Sequence, residues 1–155
     1  KERVGSTAAI STVAIVALGT GMGIGRWYGG LVLKRFALDT QLLAIIALQF
    51  LGFLGFWLSH NMVLSLLCLL VVGLGISMQF ALSSIRLIGL SDGRPDLAIG
   101  RASLAAGVAI AGAPFLLGLL GDSFGISRAY IMVFVLIGIA FIIVKAIPSD
   151  VKESV

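Results

Sequence analysis

The chain has 155 residues, of which 59% are apolar and only 12% charged, about half the charged share of an ordinary soluble domain. Eighteen charges cannot clothe the core of a water-soluble domain this long, and a mean hydropathy of +1.15 says the same. The composition excludes a disordered chain, and a single cysteine, Cys68, excludes an internal disulfide framework. Twenty glycines, nearly twice the usual share, suit helices that pack closely in a bilayer.

A hydrocarbon core about 30 Å thick needs roughly 20 apolar residues of helix. Runs free of Asp, Glu, Lys and Arg extend over 4–25, 41–85, 102–121 and 129–144. The second run is too long for one crossing and breaks at Ser59-His60-Asn61, so it reads as two helices joined by a tight turn. The chain is therefore expected to be an all-α integral membrane protein with five transmembrane helices, at about 5–33, 41–58, 62–86, 98–121 and 127–146. Continuous apolar runs, without an alternation of period two, exclude the strands of a β-barrel.

Basic residues assign the sides, because short loops rich in Lys and Arg stay in the cytoplasm. Arg26, Lys34, Arg35, Arg86, Arg94, Arg101, Lys145 and Lys152 fall on one side, and Lys1, Arg3 and Arg128 on the other. That asymmetry puts the C-terminus in the cytoplasm of a multi-pass protein of the plasma or inner membrane. It also accounts for the net charge of +4 without nucleic-acid binding. The opening Lys1-Glu2-Arg3, followed at once by an apolar helix, reads as a cut within a loop of a longer chain; a cleaved signal peptide fits poorly with a first run of 22 residues.

Two spans carry stripes of small residues. In the fourth, Gly100, Gly107, Pro114 and Gly121 recur every seven residues, with Ser103, Ala111, Gly118 and Gly125 between them. In the first, Gly21, Gly25 and Gly29 form a doubled small-xxx-small pattern. Lipid tails supply no hydrophobic drive between helices, so a face bare of side chains serves close backbone approach, and Pro114 is a place for a helix to bend.

No ionisable residue lies near the middle of a span, so a proton relay is not expected within this chain. The central polar residues are Thr20, Gln49, Ser77, Gln79, Ser83 and Ser84; Val72, Ile76, Gln79, Ser83 and Arg86 share one face of the third helix and form a candidate cavity wall. Gln49 reads as interhelical glue. Arg26, Arg86 and Arg101 sit at cytoplasmic ends, where their side chains can snorkel to headgroups or contact a gate. Trp27, Tyr28 and Trp57 read as interfacial anchors. An enzyme is not expected. His60 and Ser77 are seventeen residues apart on one helix, about 25 Å, and one His with one Cys cannot build a metal site. The Gly-rich segment 19–30 lacks the Lys-Ser/Thr ending of a phosphate loop, and no cofactor is implied.

Gly30-Leu-Val-Leu-Lys34-Arg35-Phe36-Ala37 resembles the short Gly-x-x-x-Asp-Arg-x-Gly loop of the major facilitator superfamily, with Lys34 at the Asp position and Ala37 at the last Gly. The segment 107–122, with Ala113-Pro114 and Gly118-x-x-Gly121-Asp122, is similar to that family's eleventh helix. The resemblance spans nearly the whole chain and implies helices eight to twelve, most of one six-helix bundle, in a permease that moves a small solute by alternating access. It implies as partners a missing N-terminal helical bundle, the lipid bilayer and the solute. It further implies that the stripes of the first and fourth spans face the missing bundle. Thr20, Gln79, Ser83 and Ser103 become candidates for solute contact, and Arg26, Lys34, Arg35 and Arg86 for the cytoplasmic gate. The competing expectation is a stand-alone five-span interaction or assembly protein that packs through its Gly-rich helix faces.

Overall fold

Continuous apolar runs with sparse breakers leave the backbone one way to satisfy its hydrogen bonds in lipid, the α-helix. In a computed structural model of the chain, which describes residues 8–33 and 35–147, every regular element is helical. In chain order these are α1 (Ala8–Leu33), α2 (Leu38–Leu58), α3 (Met62–Gly89), α4 (Pro95–Phe124), the single turn α5 (Ile126–Ala129) and α6 (Ile131–Ala146). Four stretches among the described residues are long and apolar enough to cross a membrane: α2, α3, α4 and Ile126–Ala146. The chain is thus an all-α, multi-pass membrane protein by length and composition. The first expected span falls on the 26-residue α1, which is not among those four.

The helices outrun the expected spans. α2 begins at Leu38 rather than 41 and carries Asp39 in its first turn, where a carboxylate suits the positive end of the helix dipole. α3 runs to Gly89, and α4 begins with Pro95, whose missing N–H costs nothing at a first helical position. Counting charge-free runs clips such ends because helices continue through the headgroup layer, where Arg and Asp are at home. The segment expected as one span at 127–146 is divided at Tyr130 into α5 and α6.

The turn between α2 and α3 is built by its own side chains. Ser59 Oγ donates to the Asn61 carbonyl at 2.9 Å and accepts the Asn61 N–H at 3.2 Å. Asn61 Oδ1 accepts the N–H of Val63 at 2.9 Å and so caps α3. Asp92 and Gly93, both with positive φ, turn the chain between α3 and α4.

The chain divides into two units, Lys1–Leu82 and Ser83–Val155, with the boundary inside α3. In the first unit α3 is the shared partner of α1 and α2. Gly21, Gly25 and Gly29 of α1 meet Leu70, Ser77 and Met78 of α3 in the same chain order, so these two helices run parallel. Gly52, Gly55 and Gly75 set α2 against α3 in the opposite sense: Gly52 meets Val72, Gly55 meets Cys68, and Gly75 meets Gln49. Leu42, Ile45, Ile46 and Phe53 of α2, with Val72 and Leu82 of α3, supply the buried apolar contacts. In the second unit Ala129 and Val144 are buried, whereas α4 has no buried residue along its 30 positions.

Candidate functional site

Glycine lets two backbones touch, and the α1–α3 crossing uses that twice in reciprocal fashion. A Cβ on Gly21 would overlap the Leu70 carbonyl oxygen, and a Cβ on Gly73 would overlap the Leu18 carbonyl oxygen. Lower down, Gly25 accommodates Ser77, whose hydroxyl donates back to the Leu74 carbonyl at 2.7 Å and so is satisfied without a partner on α1. The stripe that the family resemblance aims at a missing bundle is therefore occupied by α3 of the same chain. The matching stripe on α4 is open among the described residues: nothing lies within 4 Å of a Cβ built on Gly100, Gly107 or Gly118, and Gly121 meets Ile126 of the following turn. Pro114 lies within this helix, which continues through it. Proline leaves the carbonyl four residues earlier without its helical donor.

On that open face Ser103, Leu104, Gly107, Val108 and Ala111 line a shallow groove of about 480 Å³. Ser103 is exposed and gives the groove its one side-chain hydroxyl. A second concavity, of about 370 Å³, lies between α1 and α2 over α3 and is almost wholly apolar.

The other polar candidates are placed differently. Thr20 is exposed on α1, and its hydroxyl donates to the Val16 carbonyl of its own helix at 2.8 Å. Gln79 accepts at Oε1 a hydrogen bond of 2.7 Å from Nε2 of Gln49, itself buried. The pair follows from helix geometry. Side chains lean toward the N-terminus of their own helix, so on antiparallel α2 and α3 the two amides lean toward each other. Ser83 is exposed on α3. Thr20 and Gln79, the two candidates in the first unit, are not bonded to each other.

Of the gate candidates, Arg26 and Arg35 are exposed, and Lys34 lies outside the described residues. Arg86 does not snorkel. It is buried, and its guanidinium donates to the carbonyls of Ile147 and of Val144, the latter at 3.3 Å. Those carbonyls belong to the C-terminal end of α6, where helical donors run out and the dipole is negative, so a cation there is favourable on both counts. Arg86 lies in the last turn of α3, and the sequence carried no signal for its partner, which lies 58 to 61 residues further along the chain.

Among the described residues no group of three His, Cys, Asp or Glu could hold a metal ion. Comparison with known proteins gives no likeness to build on: no protein-family model, curated protein or solved structure matches the chain.

Proposed function

We propose that the chain is the C-terminal portion of a major-facilitator-type permease that moves a small solute by alternating access. In this reading α1 is a fifth crossing, the protein sits in the plasma or inner membrane, and its C-terminus is cytoplasmic. The observation that carries the proposal is the open face of α4, on which Ser103, Gly107, Ala111, Pro114 and Gly118 stand with no neighbour over the glycines. Lipid gains nothing from a face stripped of side chains, whereas a second bundle or a passing solute can approach it closely. Ser103 is then the leading solute contact, with Ser83 beside it on the candidate list. Thr20 and Gln79 are weaker because the Thr20 hydroxyl and the Gln79 Oε1 are engaged within the first unit. The groove holds no ionisable group, which favours a solute that is neutral or is matched in charge by the opposing bundle.

The test is cysteine accessibility in the full-length gene product in membrane vesicles. With Cys68→Ser as background, single cysteines at Ser103, Gly107 and Ala111 are treated with a membrane-impermeant thiosulfonate; Ala105 and Ala109, on the opposite face of α4, serve as controls. The expected result is modification of the first three alone, with saturable solute uptake that their modification blocks. Inert groove cysteines that instead cross-link between copies at Gly107 would replace transport with assembly.

A further inference from the structure

The cleft between α1 and α2 has chemistry of its own and is independent of whether the protein transports anything. Close approach of α1 to α3 at Gly21 and Gly25, and of α2 to α3 at Gly52 and Gly75, leaves a channel above α3 of about 370 Å³. Ile24, Ala44, Ile45, Leu48 and Met78 line it, and Tyr28 adds its only hydroxyl. The volume is at the lower end of the range for ligand pockets, about 300 to 1,000 Å³. So apolar a lining offers nothing to orient a polar solute.

Its position along the helices is informative. The lining residues of α1, 24–29, precede the end of that helix at Leu33 by only four to nine positions. Those of α2, 44–48, follow its start at Leu38 by six to ten. At about 1.5 Å per residue the cleft therefore lies roughly 6 to 15 Å below the turn that joins the two helices. That turn carries exposed Arg35, and Tyr28, more than half exposed, belongs to the cleft wall nearest to it. An apolar cleft about 9 Å long thus lies beneath a turn that carries a cation, Arg35.

We infer that this cleft holds the headgroup-proximal part of one acyl chain of an anionic phospholipid whose negatively charged headgroup lies against Arg35. Charge complementarity decides for an anionic lipid over a zwitterionic one: a basic residue at the membrane surface favours acidic headgroups by about fivefold, as befits a cation whose field reaches one Debye length. The first methylenes of the chain occupy the cleft, whose one hydroxyl is that of Tyr28.

The experiment is native mass spectrometry of the full-length gene product, released from detergent after titration with phosphatidylglycerol or phosphatidylcholine of identical oleoyl chains. The expected result is one tightly retained lipid, with phosphatidylglycerol preferred about fivefold or more. Arg35→Gln is expected to lose that preference by about fivefold, because phosphatidylglycerol retention falls further than that of phosphatidylcholine, whose phosphate is already offset by its own choline. Ala44→Phe, at an exposed position of the lining, fills the cleft and is expected to lower retention of both lipids; Leu48→Trp gives the same readout if the first variant does not fold. Equal retention of both lipids by the native protein, an undiminished preference in Arg35→Gln, or full retention in the cleft-filling variants would each overturn the inference.

Discussion

Two alanine substitutions in one helix, two residues apart, should have opposite consequences. At Gly21 a Cβ would overlap the Leu70 carbonyl oxygen and lie 3.0 Å from its carbon and 3.1 Å from its Cα. All three atoms are backbone, so no rotamer change relieves the clash and α1 must move away from α3. Restoring ordinary contact takes a shift on the order of 1 Å, and a gap of that size forfeits about a quarter to a half of each van der Waals well along the crossing. Overpacking of this kind costs about 1 to 3 kcal/mol. At Gly23 nothing among the described residues lies within 4 Å of a built Cβ, so Gly23→Ala is expected to be neutral or to gain up to about 1 kcal/mol of helix propensity. Gly25→Ala should resemble Gly21→Ala, since Ser77 Cβ at 2.8 Å and the Leu74 carbonyl at 2.9 Å confine it. Gly29→Ala should cost less, because it meets the flexible side chain of Met78. Equilibrium unfolding in mixed micelles on addition of a denaturing detergent, followed by far-UV circular dichroism, gives each midpoint. Equal midpoints for Gly21→Ala and Gly23→Ala would refute the parallel α1–α3 crossing.

Two further predictions concern polar groups. In a double-mutant cycle on Gln49→Leu and Gln79→Leu, the coupling is expected to be about 0.6 to 2 kcal/mol, the range for hydrogen bonds between helices in membranes; strict additivity would show that the amides do not pair. Arg86→Gln removes a guanidinium bonded to the α6 terminus, and bonds to charged donors contribute about 1.5 to 3 kcal/mol. Amide exchange around Ile147, whose N–H closes the last turn on Ile143, should then quicken by about tenfold to a hundredfold, with part of the protection kept by Arg86→Lys. Unchanged exchange in Arg86→Gln would remove the clamp.

That the chain is all-helical, with helices long and apolar enough to cross a membrane, was legible from residues alone, because a bilayer fixes span length and forbids unsatisfied backbone. Ser59-His60-Asn61 was readable as a turn for the same reason: three polar residues interrupt 45 residues without an acid or base other than His60. Helix ends were less so. Pro95 and Asp96 carry a recognisable start signal, but a search for charge-free runs passes over it, since charged first turns are tolerated in the headgroup layer.

Sequence by itself determined that α1 and α4 each present a face of small residues, and that no ionisable group sits in mid-span. Only the tertiary structure decided what those faces meet. The stripes on α1 and α4 are alike as patterns, yet Gly21 and Gly25 are covered by α3 of their own unit, while among the described residues of the second unit nothing covers Gly107 and Gly118. The reason is physical: missing side chains encode how near a partner can come, and the partner is chosen by the complementary surface, here Gly73 and Ser77 some fifty residues on. The Gln49–Gln79 bond and the grip of Arg86 on the end of α6 are decisions of the same sort, made between residues that meet only once the helices have packed.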